Sequence, residues 1–430
     1  MLRREGDREM NRTVTPGTLR GRVKQVMTSK SQAHRLLICA AQAEEETRII
    51  SIPPSEDAVA TVRCLRAMGA EIREEEKQTT VRSGATPKEK RELDCGESGS
   101  TLRFLLPMAA AKGMRASFTG RGKLASRPLS PLYEEMERHG ASLTPQGFFP
   151  LETEGMLTPG DYRLAGNVSS QFISGLLMAL PLLDGDSRMI IEGKMESGPY
   201  VEMTLEILDR FGAEIGRVPD GFLIPGNQRF RSPGTIGVEG DWSGAAFWLA
   251  AGALSGEGIR CDNLNPESAQ GDKAIVALLR QFGAAVTEES QSVTVKKREL
   301  RGIDIDAADI PDLVPILAVT AAFAIGDTRI SHIRRLRLKE SDRAASVTAL
   351  IRSLGGSAEA AEDEMIIHGT GGLKGGTADA FRDHRIAMAA AIAASGAKEP
   401  VTILDAESVN KSYPGFWDQF DALRGDIFCP

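Results

Sequence analysis

The stretch Leu65-Arg66-Ala67-Met68-Gly69-Ala70-Glu71-Ile72 reads as a helix end, a glycine and a strand start. Glycine reaches the left-handed conformation without strain, which suits the position just past a helix. The alternation in Ala70-Glu71-Ile72 suits a strand. The tag returns at Gly140 (Arg138-His139-Gly140-Ala141-Ser142-Leu143), Gly212 (Phe211-Gly212-Ala213-Glu214-Ile215), Gly283 (Phe282-Gly283-Ala284-Ala285-Val286) and Gly355 (Leu354-Gly355-Gly356). A degenerate sixth copy is Leu423-Arg424-Gly425-Asp426-Ile427, and the steps are 71, 72, 71, 72 and 70. A fixed period of this kind decides the architecture. The chain is six copies of one supersecondary unit, and function is expected where the copies meet.

Each copy carries a further helical segment that is small and apolar nearly all round, as in 102–111, 172–180, 245–253, 314–324 and 386–394. A helix of that kind is buried. The expected starts are Ser31, Ser100, Ser169, Ser243, Asp312 and Asp383, all good N-cap types, at steps of 69, 69, 74, 69 and 71. The long step marks a hinge near Glu239-Gly240-Asp241. The expected fold is α/β, with two similar domains of three copies each. In each domain three buried parallel helices are surrounded by sheets and outer helices. Their N-termini would share one mouth, whose free N–H groups and dipole ends favour anions.

Composition narrows the partners. The 430 residues are 41% hydrophobic and 26% charged, with net charge −7. Such a surface as a whole repels nucleic acid and anionic membrane, so no binding to either is expected. No apolar run reaches the ~20 residues that span a bilayer, and the charged N-terminus is no secretory signal. Residues 1–9 are charged and unpatterned and read as a disordered extension ahead of Met10. Cys39, Cys64, Cys95, Cys261 and Cys429 show no metal spacing and read as reduced thiols of a cytoplasmic protein. With five histidines and no H-E-x-x-H, no metal site is expected.

The unusual residues lie at helix starts. These read Thr28-Ser29-Lys30-Ser31-Gln32-Ala33-His34-Arg35, Gly96-Glu97-Ser98-Gly99-Ser100-Thr101-Leu102-Arg103, Gly166-Asn167-Val168-Ser169-Ser170-Gln171-Phe172 and Phe381-Arg382-Asp383-His384-Arg385. The outer helices open on Ser126-Arg127-Pro128, Ser197-Gly198-Pro199-Tyr200, Lys339-Glu340-Ser341-Asp342-Arg343 and Asn410-Lys411-Ser412-Tyr413-Pro414. Taken singly, a serine or aspartate here is a cap and a lysine or arginine is solvated. Together, Lys30, Arg35, Arg103, Arg127, Lys339, Arg343, Arg385 and Lys411 oppose the helix dipole in repeated positions and need an anion to offset them. Arginine grips carboxylate or phosphate bidentately and lysine adds a compact charge. The substrates should therefore carry several negative charges. Asp312 and Glu340 stand among these cations, where a carboxylate can also move protons. Tyr200 and His384 have packing readings beside functional ones.

With these motifs in order, the chain resembles the 5-enolpyruvylshikimate-3-phosphate synthase family over about residues 12–425. The resemblance implies two domains, each of three βαβαββ units, in the inside-out α/β barrel arrangement of enolpyruvyl transferases. It places one domain at 29–240 and the other at 10–28 plus 241–430, with the active site in the cleft between them. It implies transfer of the enolpyruvyl group of phosphoenolpyruvate to the 5-hydroxyl of shikimate-3-phosphate, with release of phosphate, no metal or organic cofactor, and a monomeric protein. Lys30, Ser31, Arg35, Ser169, Ser170, Gln171, Ser197, Tyr200, Asp312 and Lys339 would then hold shikimate-3-phosphate. Lys30, Gly99, Arg103, Arg127, Gln171, Arg343, Arg385 and Lys411 would surround phosphoenolpyruvate. Asp312 would take the 5-hydroxyl proton, Glu340 would handle the proton at the methylene carbon, and Lys30 would assist.

Some positions depart from the family. Glu97 and Ser100 stand where members carry Asn and Thr, and Arg335 lies four residues before Lys339. Gly99 keeps the small residue beside the phosphoenolpyruvate site, which implies sensitivity to glyphosate. The rival UDP-N-acetylglucosamine enolpyruvyl transferases carry a reactive cysteine five residues before an Arg-Pro pair. Gly122 occupies that position before Arg127-Pro128, and no cysteine lies between Cys95 and Cys261. A non-catalytic anion binder is the other alternative, and retention of both Asp312 and Glu340 argues against it.

Overall fold

All six tag glycines have positive φ, from +72° at Gly212 to +107° at Gly283. The computed structural model describes residues 10–425. The expected extension at 1–9, the strand start at Asp426-Ile427 and Cys429 lie outside the described residues. At Gly69 the amides of Gly69 and Ala70 bond to the carbonyls of Arg66 and Leu65, each at 3.0 Å, closing the last helical turn. A Cβ there would lie 2.3 Å from the Ala85 carbonyl oxygen, so the tag also marks a close backbone approach.

Twelve α-helices lie among the described residues: α1 (Lys30–Ala40), α2 (Glu56–Ala67), α3 (Gly99–Ala111), α4 (Leu132–Arg138), α5 (Ser170–Ala179), α6 (Gly198–Arg210), α7 (Trp242–Leu254), α8 (Ile275–Phe282), α9 (Val314–Ala322), α10 (Arg343–Ser353), α11 (His384–Gly396) and α12 (Phe416–Arg424). The odd-numbered helices are the apolar ones and lie inside. Every residue of α9 is buried, as is α7 up to its last residue. The even-numbered helices are amphipathic and end at the tags.

A complete repeat runs strand, inner helix, strand, outer helix, hairpin. In the second, Arg91–Asp94 pairs in parallel with Ala116–Thr119 across α3, and Leu151–Gly155 and Ala141–Leu143 extend the sheet antiparallel. The third and fifth repeats copy this order. The first lacks its own leading strand, and Thr235–Gly237 supplies it parallel to Thr47–Ile50. The leading strand of the fourth is Gly21–Val23, parallel to Ile259–Asp262. In the sixth, Arg12–Val14 pairs antiparallel with Val401–Leu404. The chain therefore forms two units, each with three sheets and three inner helices: Thr28–Glu239, and 10–27 together with 240–425.

A second period appears only in the backbone. The residue just past the strand that follows the inner helix takes positive φ in five of the six repeats, Gly120 of the second being the exception: Ser51 (+63°), Gly193 (+76°), Asn263 (+62°), His332 (+58°) and Asp405 (+52°). Non-glycine residues there are strained, and such strain concentrates near functional sites.

The helix starts need correction. The caps of α1, α3 and α7 are Ser29, Ser98 and Asp241, whose side chains accept from Gln32 N, Thr101 N and Ser243 N. Ser31, Ser100 and Ser243 lie two residues further on, inside the first turn. Ser169 and Asp383 do cap α5 and α11. Asp312 is not the cap of α9: Leu313 holds that position, and Pro315 offers no N–H in the first turn. Cys39, Cys64, Cys95 and Cys261 are buried free thiols.

Candidate active site

In the unit Thr28–Glu239 the charged residues of the inner helix starts are held by their neighbours. Lys30, the first residue of α1, donates from Nζ to Asp57 Oδ2 at 2.7 Å. Arg35, one turn on, is 2% exposed. Its Nε donates to Thr204 Oγ1 (2.7 Å), Nη1 to Ser31 O (2.7 Å), and Nη2 to Ser174 Oγ (3.2 Å) and Tyr200 O (3.0 Å). These four bonds go to uncharged oxygens and tie α1 to α5 and α6. Burial lowers the Arg35 pKa to about 10. Ser197, at the cap position of α6 with no side-chain capping bond to that helix, is buried and left-handed at φ +55°.

Gln171 joins two inner helices. Its Nε2 donates to Ser100 Oγ at 2.9 Å and its Oε1 accepts from Arg103 Nη1 at 2.7 Å. Arg103 Nη2 also donates to Pro128 O at 3.1 Å, and its guanidinium lies 5.3 Å from the Phe172 ring centre. A Cβ on Gly99 would sit 2.8 Å from Arg127 Nη1, so glycine lets that guanidinium rest on the first turn of α3. Gly99, Ser100, Arg103, Arg127 and Gln171 thus form one patch, with Ser169 and Ser170 at the same turn of α5.

The other unit gathers Asp312, Lys339, Glu340, Arg343, Asp383 and Arg385. Arg343, 1% exposed, bonds three carboxylates. Nη1 donates to Asp312 Oδ1 (2.7 Å), Nη2 to Glu340 Oε2 (2.7 Å), and Nε to Asp383 Oδ2 (2.8 Å). Arg385 donates from Nη2 to Asp312 Oδ2 at 3.0 Å and from Nη1 to the Asp312 carbonyl at 3.2 Å. Lys339 Nζ lies 3.5 Å from Asp312 Oδ1. Asp383 also accepts from Ser341 Oγ (3.0 Å) and from Arg385 N (3.0 Å), so one carboxylate caps α11 and aims Arg343. Phe381 and Arg382, just before it, are both left-handed. Lys411 ends the short helix Ala406–Lys411 and is buried, as is His384 beside Asp383.

Burial alone would raise the Asp312 carboxyl. Arg385, Lys339 and Arg343 outweigh that and hold it well below the usual range, against a smaller opposing push from Glu340. Burial lowers Lys339, with Asp312 opposing. Arg343 is raised, because Asp383, Glu340 and Asp312 outweigh its burial. Asp272 behaves oppositely to Asp312. Burial, and next the negative Asp312, raise it to about 7, against Arg385 and its hydrogen bond from Ser243 Oγ. Its Oδ1 is buried without a hydrogen-bond partner.

Sequence reasoning expected the cations to await an outside anion. The protein's own carboxylates offset several of them: Asp57 holds Lys30, and Asp312, Glu340 and Asp383 hold Arg343, with Asp312 also meeting Arg385 and Lys339. Sequence reasoning missed Asp57 and Asp272. Asp57 lies in the first turn of α2, where an acid suits the dipole and reads as ordinary. Arg335, in a short helix ahead of Lys339, donates from Nη2 to the Ala308 carbonyl. No cluster of metal-ligating side chains occurs among the described residues.

Solved structures share this architecture. An EPSP synthase from Acinetobacter baumannii is 25% identical, with a TM-score of 0.80 over 97% of this chain and 98% of that one. The enolpyruvyl transferase NikO from Streptomyces tendae, 19% identical, has a TM-score of 0.77 over 96% of each and shares the fold. The fold is therefore that of the enolpyruvyl transferases. Two proteins named 3-phosphoshikimate 1-carboxyvinyltransferase narrow the class. The one from Clostridium kluyveri is 42% identical over 96% of this chain and 97% of its own length, and that from Clostridium acetobutylicum is 44% identical over the same shares. The profile of EPSP synthase (3-phosphoshikimate 1-carboxyvinyltransferase) matches residues 14–420, and the chain belongs to that family.

Proposed function

We propose that this protein transfers the enolpyruvyl group of phosphoenolpyruvate to the 5-hydroxyl of shikimate-3-phosphate, giving 5-enolpyruvylshikimate-3-phosphate and phosphate in aromatic amino-acid biosynthesis. The observation that carries the reading is the near full-length relationship to 3-phosphoshikimate 1-carboxyvinyltransferases. Among the described residues no helix is long and apolar enough to cross a membrane, and a cytoplasmic monomer acting on two small anions is part of the reading.

The residues support an addition followed by an elimination. Glu340 protonates the methylene carbon of phosphoenolpyruvate, and C2 gains cationic character. The 5-hydroxyl oxygen bonds to C2 as its proton passes to Asp312. The C2–phosphate oxygen bond then breaks, the departing phosphate oxygen takes up the proton that Asp312 had received, the methyl carbon returns a proton to Glu340, and the double bond reforms. Gly99, Arg103, Arg127, Gln171, Lys30, Arg343, Arg385 and Lys411 are assigned to phosphoenolpyruvate. Lys30, Ser31, Arg35, Ser169, Ser170, Gln171, Ser197, Tyr200, Asp312 and Lys339 are assigned to shikimate-3-phosphate. Fixing two reactants in this way can supply about 7–11 kcal/mol at best.

The ion pairs give this step a switch. A carboxylate held by Arg343, Arg385 and Lys339 is a poor base. A phosphate or carboxylate of the substrate that draws those cations away raises the basicity of Asp312 as the acceptor hydroxyl arrives. The test is phosphate release from phosphoenolpyruvate with shikimate-3-phosphate, run beside UDP-N-acetylglucosamine. Release with shikimate-3-phosphate alone is expected. Release with neither acceptor, or only with the nucleotide sugar, overturns the reading.

A further inference from the structure

Four buried polar side chains form a line through the unit Thr28–Glu239 that the reaction above does not use. His34 on α1 meets Thr61 Oγ1 on α2 through Nδ1 at 2.7 Å. Thr61 Oγ1 meets Thr101 Oγ1 on α3 at 2.7 Å. Thr101 Oγ1 donates to Ser98 Oγ, the cap of α3, at 2.7 Å. None of the four is more than 1% exposed. His34 Nε2 has no hydrogen-bond partner, and the ring stands edge-on to Phe104 at 6.4 Å and 80°.

The direction of the line follows from proton counting. Each hydroxyl has one proton, and the 2.7 Å contacts claim it ahead of the 3.4 Å contacts that Thr61 and Thr101 make with the Asp57 carbonyl. Thr101 gives its proton to Ser98, so it accepts from Thr61, and Thr61 accepts from His34. The imidazole therefore carries its proton on Nδ1. That leaves Nε2 a bare lone pair facing apolar surroundings, which is less costly there than an N–H without an acceptor.

We infer that His34 is a positioning residue: its Nδ1–H is the fixed donor end of a hydrogen-bond line that sets the first turn of α3, and with it Gly99, Ser100 and Arg103, against the helix carrying Lys30. The neighbours favour a neutral ring. Burial lowers its pKa to about 3, and Lys30 and Arg35 on its own helix add to this against Asp57 on α2. Phe104 from α3 brings no charge. The same Asp57 holds Lys30, so the line begins and ends beside groups assigned to substrate.

The inference rests on the proposed reaction for its kinetic arm and is independent of it for its spectroscopic arm. In ¹H–¹⁵N spectra of the full chain, with His34→Asn to assign the signal, His34 should appear as the neutral Nδ1–H tautomer throughout about pH 5–8. An Nε2–H tautomer, or a ring that protonates in that range, overturns it whether or not the enzyme turns over. In the kinetic arm, Thr101→Val and His34→Leu remove a donor at little change in volume. Each should raise KM for phosphoenolpyruvate about 3–10-fold, the worth of one hydrogen bond, with kcat changed far less. Thr101→Ser and His34→Asn, whose amide nitrogen can occupy the Nδ1 position, should restore the wild-type KM. Unchanged KM in the first pair, or failure of the second pair to rescue while folded, overturns the positioning role. Absence of turnover in the wild type indicts the proposed reaction instead and leaves the tautomer measurement standing.

Discussion

Asp312 meets three cations and is also the group assigned to accept a proton, and the two facts pull against each other. Replacing it by asparagine keeps the shape and removes the base. Asp312→Asn should lower kcat by about 10²–10⁴-fold, the usual share of a general base. The same change leaves Arg343, Arg385 and Lys339 more positive, so stabilisation of the protein by phosphoenolpyruvate in thermal melts should be kept or increased. Loss of that stabilisation along with turnover would mean that Asp312 holds the anion site together rather than serving the chemistry. Asp272 allows a cleaner reading of pH. Its folded carboxyl keeps a proton up to about pH 7, whereas an ordinary aspartate releases it near 3.8. Between those values the folded state binds more protons, so this group makes stability fall as pH rises through the window. Asp272→Asn should match the wild type near pH 4 and exceed it near pH 8 in denaturant midpoint, whereas parallel curves would rule out the buried proton. Little of this was legible beforehand. A sequence displays cations at helix starts but not the carboxylates facing them, because Asp57 and Asp272 look like ordinary first-turn acids until α1 and α7 are packed beside them.

Among the elements, the tag glycines were legible because one chemical requirement, positive φ past a helix, admits few residues. The backbone period at Ser51, Asn263, His332 and Asp405 was not, since four different side chains fill one conformation and nothing in their identity repeats. The starts of α1, α3 and α7 were misplaced by two residues for a related reason. Ser29 and Ser31, Ser98 and Ser100, and Asp241 and Ser243 are all capping types, and only the N–H each one receives decides between them. The tags also differ in what they tolerate. Gly69 has the Ala85 carbonyl 2.3 Å from where a Cβ would be, whereas Gly212 has only Arg231 side-chain carbons at 3.9 Å. Gly212→Ala should cost about 1–2 kcal/mol, the price of a left-handed L-residue. Gly69→Ala should cost about 2–3 kcal/mol or more, because backbone must also move. Equal losses in chemical denaturation would show that the close approach relaxes freely.

At the scale of the molecule, the unit Thr28–Glu239 contains every strand of its three sheets, since Thr235–Gly237 returns to complete the first. The other unit draws two strands, Arg12–Val14 and Gly21–Val23, from the far end of the chain. Residues 28–239 made alone should therefore unfold cooperatively with native-like helix content. Residues 240–430 made alone should be markedly less stable and recover when a peptide of residues 10–27 is added. Equal stability of the two pieces would mean that the borrowed strands contribute little. Six-fold repetition was visible from the tags, but the borrowing was not, because a three-residue strand carries too little pattern to name its partner. The borrowing also bears on how the protein is born. Val14 leaves the ribosome well ahead of Val401, the residue it pairs with. At ordinary elongation rates it waits on the order of half a minute for that partner. The intervening unit can fold meanwhile as a closed insertion, while these two strands stay exposed to chaperones, to proteases and to the wrong neighbours until their partners have been made.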